Sequence, residues 1–232
     1  MIAITGLAKA YGPKRVLQDL SLSVDAGEVA LLVGANGCGK STTLRVLAGL
    51  SAADAGRIVI NGTSLDGDRQ AALAGLSFLP QSPRFHERLT TAQILAFYAR
   101  LRGLPASRVD VVAARWGLTE HLRVQTGRLS GGTRQRLGLA VLDLPDAPIL
   151  VLDEPGLSLD PDWRQTLQSH LRRVAAEGRT VLVATHLLGE WDGQADRCLV
   201  IDKGQVEREV PAAGLRDAFP FACPRPVLAG IA

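Results

Sequence analysis

Hydrophobic and polar positions along the chain follow two rhythms. A period of two, or a short unbroken apolar run, predicts strands at Ile2-Ala3-Ile4, across Val16 to Val24, and at Val29 to Val33. The Val29 to Val33 run has no polar face, the pattern of a strand buried on both sides. Apolar residues at Leu44, Leu47 and Ala48 then predict a helix from Ser41 to Leu50, closed by Gly49 with Gly56 beyond. A short strand is predicted at Leu76 to Leu79. From Phe85 to Leu144 the period is helical, with helices predicted over Ala92 to Leu101, Arg108 to Trp116 and Thr133 to Leu144. In the last of these, Leu137, Ala140, Val141 and Leu144 share a face. Strand patterns return at Ile149 to Leu152, Thr180 to Ala184 and Cys198 to Ile201, with an amphipathic helix from Asp162 to Glu177 between the first two. Strands alternating with helices imply an α/β fold with a mostly parallel sheet covered on both faces. The strands before residue 33 predict an antiparallel N-terminal part, and the helical stretch reads as an insert.

With 232 residues and 47% hydrophobic content, the chain can bury one substantial core. The pattern suits a single domain over residues 1–232, with a core lobe at 1–83 and 146–210, a helical lobe at 84–145 and a tail at 211–232. That tail is proline-spaced with no clear period. The net charge is only +3, with 26 basic residues scattered among 23 acidic ones, so no nucleic-acid partner is implied. Cys38, Cys198 and Cys223 are too few and too far apart for a disulfide framework or a zinc site, which points to a reducing compartment. No run reaches the roughly 18 apolar residues of a membrane helix, and the first residues lack a secretion-signal pattern. Any membrane role is therefore expected to come through a partner.

Candidate chemistry concentrates where strands end. Gly34-Ala35-Asn36-Gly37-Cys38-Gly39-Lys40-Ser41 fits GxxxxGK[ST] between a buried strand and a helix, the context of a P-loop. Its glycines let successive N–H groups turn onto phosphate oxygens, Lys40 adds charge at the β and γ phosphates, and the Ser41 hydroxyl can ligate Mg²⁺. The strand Ile149 to Leu152 delivers Asp153 and Glu154 at its C-terminal end. Asp153 can hold Mg²⁺ through water, and Glu154 can orient or deprotonate an attacking water. In Leu129-Ser130-Gly131-Gly132-Thr133-Arg134-Gln135-Arg136, a serine and two glycines open a helix, which presents free N–H groups to an anion. A plain N-cap with flexible glycines accounts for the same residues. A second anion-binding helix start beside an existing phosphate loop suggests a second surface closing on one nucleotide.

These three segments together resemble an ABC (ATP-binding cassette) ATPase. GANGCGKS resembles its Walker A loop, LSGGTRQR its signature and ILVLDEP its Walker B strand with the catalytic glutamate, in family order across essentially the whole chain. The resemblance implies a P-loop NTPase core of RecA-like type. It also implies nucleotide contacts from Gly34, Asn36, Gly37, Cys38, Gly39, Lys40, Ser41 and Thr42, although the side chain of Cys38 is better read as a small spacer. Tyr11 resembles the aromatic that stacks on adenine, Gln81 the glutamine that touches Mg²⁺ and the attacking water, and His186 the switch histidine at the γ-phosphate. Catalysis is thus assigned to Glu154, His186 and Gln81, and the metal to Ser41, Gln81 and Asp153. Ser158-Leu159-Asp160 resembles the D-loop, although Asp160-Pro161 also reads as an ordinary helix cap. Thr133 departs from the family, which usually has glutamine there; it keeps a hydroxyl of shorter reach.

The resemblance further implies ATP and Mg²⁺ as cofactors and a head-to-tail homodimer in which Ser130, Gly131, Gly132 and Asp160 meet the partner's ATP. Separate transmembrane permease subunits would place the chain in the cytoplasm, peripheral on the inner face of the cell membrane. The stretch LPQSPRFHERLTTAQILAFYARLRGL is similar to bacterial exporter-type cassettes. Two alternatives stay open at this point: a soluble ABC ATPase of the iron–sulfur cluster assembly type, and a P-loop kinase or GTPase. The second leaves Ser130 to Gly132, Gln81, Asp160 and His186 without a role.

Overall fold

The computed structural model describes residues 1–186 and 188–211; all but the first residue of the predicted tail lies outside them. Two sheets share the core. An antiparallel sheet is built from β1 (Ile2–Tyr11), β2 (Lys14–Val24), β4 (Ala55–Ile60) and β5 (Thr63–Ser64), in the order β2-β1-β4-β5. A six-stranded sheet contains β3 (Val29–Val33), β6 (Leu76–Leu79), β7 (Ile149–Asp153), β8 (Thr180–Ala184), β9 (Arg197–Asp202) and β10 (Gln205–Pro211). Its order is β10-β9-β3-β8-β7-β6, parallel throughout except for the edge strand β10. The helices are α1 (Lys40–Leu47), α2 (Arg69–Ala74), α3 (Thr91–Leu101), α4 (Ser107–Arg115), α5 (Gly131–Asp143) and α6 (Pro161–Ala176).

The unbroken apolar run of β3 has its cause in this layering, because successive side chains leave opposite faces of a strand. Val29, Leu31 and Val33 enter the cluster shared with the helices α3, α4, α5 and α6, while Ala30 and Leu32 enter the one shared with α1 and the antiparallel sheet. All five are buried. The parallel arrangement of β3, β6, β7 and β8 brings their C-terminal ends to one edge. At that edge the chain delivers residues 34–41, Gln81, Asp153 with Glu154, and His186.

The insert is fastened to the core by a buried polar junction. Asp143, at the end of α5, accepts hydrogen bonds from Trp116 Nε1 at 2.9 Å and from Arg115 at 3.2 Å. His170 Nε2 of α6 lies 2.9 Å from its other oxygen. Arg173 stands 3.0 Å from His170 Nδ1; arginine only donates, so Nδ1 accepts and Nε2 carries the proton given to Asp143. Burial pushes the Asp143 carboxyl up, but the bonds from His170 and Trp116 and the Arg115 charge outweigh it and hold it below its ordinary value.

Several elements differ from the sequence expectation. The first strand does not stop at Ile4 but runs to Tyr11, carried by pairing on both sides. The helix predicted to Leu50 ends at Leu47, where Gly49 takes a φ of 70° and Gly49 and Leu50 donate back to Val46 and Arg45. That is a Schellman closure, for which a residue without Cβ is suited. Strands β4, β5 and β10 and helix α2 carried no period strong enough to predict. β4 buries only Ile58 and Ile60, α2 only Ala72, and the charged edge strand β10 buries nothing.

Candidate functional site

A cleft of about 470 Å³ opens at the shared C-terminal edge, floored by Asn36, Gly37, Gly39, Lys40, Ser41 and Thr42. Tyr11, Lys14, Val16, Gln81 and Glu154 wall it. The floor owes its shape to backbone rather than side chains. Gly39 caps α1 at a φ of 121° with no side-chain hydrogen bond, so the first N–H groups of the helix stay open to an anion. A Cβ at Gly39 would also lie 2.7 Å from Leu17 Cδ2.

Lys40 is 7% exposed and donates from Nζ to the carbonyls of Gly34 at 2.8 Å and Ala35 at 3.3 Å. The ammonium is thereby held over the mouth of its own loop, where a phosphate oxygen can replace a carbonyl. Ser41 Oγ donates to Asp153 Oδ1 at 3.1 Å, which joins the first helix to the end of β7. Burial pushes the Asp153 carboxyl above its ordinary value; the Ser41 bond opposes this, and the Glu154 charge adds to it.

Glu154 is buried and sits at a φ of 49°, a left-handed conformation uncommon for a residue with a side chain. Its N–H donates to Ala184 O at 2.8 Å, crossing to the end of β8. Its Oε2 lies 2.8 Å from His186 Nδ1, and the His186 ring is about half exposed. Carboxylate and imidazole therefore stand as a pair, with Glu154 at the cleft wall, an arrangement that can accept a proton from a water.

The cleft gathers Tyr11, Asn36, Gly37, Gly39, Lys40, Ser41, Thr42, Gln81 and Glu154 directly, with Asp153 beneath Ser41 and His186 on Glu154. Gly34 meets it through the carbonyl that holds Lys40. The Cys38 side chain is buried in the apolar cluster behind the loop, as suits a spacer. Ser130, Gly131, Gly132 and Asp160 do not line this cleft. Ser130 and Gly131 are exposed at the start of α5, and the Ser130 hydroxyl accepts from Thr133 N at 3.1 Å. Asp160 caps α6 by accepting from Trp163 N at 2.9 Å, with Pro161 in the first turn. Thr133 keeps a polar contact, but an internal one: it is buried, with its hydroxyl 2.9 Å from Ser130 Oγ and 3.2 Å from an Arg136 donor. Lys14 and Val16 were missed from sequence as site residues; they open β2 just past the turn after Tyr11, and the approach of that strand start to the phosphate loop has no signature along the chain.

A helix start open to phosphate, a buried lysine and two carboxylates at the end of one parallel strand define a nucleotide-hydrolysing site of the P-loop class. Comparison with known proteins narrows this. The family model described as ABC transporter matches residues 17–156, from β2 past Glu154. An uncharacterised ABC transporter ATP-binding protein of Bacillus subtilis (strain 168) is 35% identical over 216 residues, covering 92% of this chain and 70% of that protein. Nod factor export ATP-binding protein I of Ralstonia nicotianae is 35% identical over 211 residues, covering 88% of this chain and 65% of the relative. A solved ATP-binding subunit of an ABC transporter superposes with a TM-score of 0.85 at 27% identity, covering 95% of this chain and 93% of that one. The chain belongs to the ABC transporter family, as its ATP-binding and ATP-hydrolysing component. It spans about two thirds of the length of these curated relatives.

Proposed function

We propose that two copies pack head to tail and that each ATP lies between the cleft of one copy and the Ser130, Gly131 and Gly132 helix start of the other, with Asp160 crossing the interface. The observation that carries this reading is a separation within one copy. Lys40, Ser41, Asp153, Glu154 and His186 converge on one cleft, whereas Ser130 and Gly131 present an exposed helix start that lines none of it. The exposed start of α5, capped at Thr133 N by the Ser130 hydroxyl, keeps earlier N–H groups suited to the triphosphate of a partner.

The residues fit Mg²⁺. Ser41 Oγ and the Asp153 carboxylate are hard oxygen donors 3.1 Å apart, and one or two protein oxygens completed by phosphate oxygens is a common mode for this ion. Ser41, Asp153 and Gln81 would hold it, and when bound it neutralises charge on the β and γ phosphates. The chain's own side chains do the rest. Tyr11 stacks on the adenine, the N–H groups of Asn36, Gly37 and residues 39–42 bind the phosphates together with Lys40, and Gln81 orients the attacking water. Glu154 accepts its proton, and His186 moves from Glu154 to the γ-phosphate when that group arrives. Loss of the γ-phosphate removes what the partner's Ser130 cradle holds, so the copies separate.

In this reading residues 1–83 and 146–210 form the core lobe and 84–145 the helical lobe of one domain, with 211–232 as a tail. The helical lobe passes the motion to a separate permease, and transport runs outward, in keeping with the relative named for Nod factor export. Among the described residues no helix is long and apolar enough to cross a membrane; the chain then sits on the inner membrane face through that permease. Phosphate release by Glu154→Gln tests the core of the proposal. A fall of about a hundredfold or more with ATP binding retained is expected, and release at the unmodified rate would remove Glu154 from catalysis.

A further inference from the structure

The left-handed backbone at Glu154 must be held by its surroundings, since a φ of 49° is unfavourable for any residue with a Cβ. One hold is the bond from Glu154 N–H to Ala184 O on the sheet side. The next residue is Pro155, which has no N–H, so only its carbonyl can be tethered. That carbonyl accepts a 3.0 Å hydrogen bond from Gln135 Nε2. Gln135 is 3% exposed, one of two glutamines buried among the described residues, and it lies in α5, five residues after Ser130. A second approach brings the same helix onto the same loop: a Cβ on Gly132 would lie 2.9 Å from Ser158 O. The backbone carrying Glu154 is therefore pinned between β8 on one side and α5 on the other.

We propose that Gln135 is a positioning residue for the Glu154 carboxylate, acting through the Pro155 carbonyl without touching nucleotide. Without the amide donor, a buried carbonyl loses its partner and the loop relaxes towards ordinary backbone, swinging the carboxylate off its line to the water. Nucleotide binding to the cleft of a single copy is untouched, because the phosphate floor at residues 36–42 hangs from β3 and α1 rather than α5. The inference rests on the reading of Glu154 as the catalytic base.

The test uses the full chain with Gln135→Met, close in volume and without a donor, and Gln135→Glu, which sets an acceptor against the carbonyl. Steady-state hydrolysis, nucleotide titration and single-turnover phosphate release are measured in the unmodified and the Glu154→Gln backgrounds. Both variants are expected to lower kcat about tenfold or more, with KM and nucleotide affinity within about twofold. They are expected to add no further loss in the Glu154→Gln background, because two changes acting through one group do not add. Should Gln135→Met not fold, Gln135→Asn keeps an amide one methylene too short and is expected to give the same split. An unchanged kcat, or a KM that rises in proportion, overturns the proposal. The same fold-loss with Glu154 already replaced overturns it too, while leaving the catalytic reading intact. Full hydrolysis by Glu154→Gln alone removes that reading, and with it any carboxylate for Gln135 to position.

Discussion

Replacing Asp143 with leucine removes the acceptor at the centre of the junction between the helical insert and α6. Three donors lose their partner: Trp116 Nε1, His170 Nε2 and Arg115. Arg115 keeps 28% of its side-chain surface exposed and can turn to solvent, so its share is discounted. Trp116 and His170 are 1% and 6% exposed and cannot. Two stranded buried donors at about 1–3 kcal/mol each give a loss of about 2–6 kcal/mol. For a chain of this size about 2–4 °C accompanies each kcal/mol, so a fall of roughly 4–24 °C in Tm is expected. Calorimetry and urea unfolding at pH 7.5 measure it. Because the folded carboxyl is held below its unfolded value, the junction stabilises the protein above the usual carboxylate range. That contribution fades as pH falls through the folded value, so the difference between the two proteins narrows in acid. A loss under about 1 kcal/mol at pH 7.5, or a difference that widens on acidification, would refute the reasoning.

Lys40→Ala deletes the charge held over the phosphate loop and is expected to weaken ATP binding at least tenfold; unmodified affinity by calorimetric titration would count against the cleft as the phosphate site. Asp153→Asn keeps an acceptor for Ser41 but removes a carboxyl that burial raises. A raised folded value means the ionised carboxylate costs stability above that value, a cost absent below the unfolded one. The nucleotide-free variant is therefore expected to melt higher than the unmodified protein at pH 8, with the gap closing in acid, while hydrolysis falls. A lower Tm at pH 8 would show that burial does not dominate there.

The parts of this protein written in the chain are those where residue type and strand position coincide. β3 is unbroken because both its faces are buried, and the phosphate loop needs glycine where α1 begins, so both were readable from residues 29–41. Asp153 and Glu154 were legible as polar residues ending an apolar strand, and Gln81 and His186 by resemblance. Which strands neighbour one another is a tertiary matter: parallel pairing brings these ends to one edge, and the order β3-β8-β7-β6 sets which of them stand side by side. Lys14 and Val16 escaped notice because their place depends on how the antiparallel sheet leans over the loop. Gln135 was invisible for a different reason: a helical glutamine normally faces solvent, and nothing along the chain reveals that its amide reaches Pro155. The edge strand β10 hid behind its charges.

Sedimentation of the Glu154→Gln protein with and without ATP bears most directly on the claim that one triphosphate is gripped by two copies. The account predicts a monomer without nucleotide, a dimer at saturating ATP, and no dimer when Ser130 is also changed to Glu, which sets a carboxylate in the phosphate's place. A species that stays monomeric at every ATP concentration, or an ATP-dependent dimer indifferent to Ser130→Glu, would contradict it.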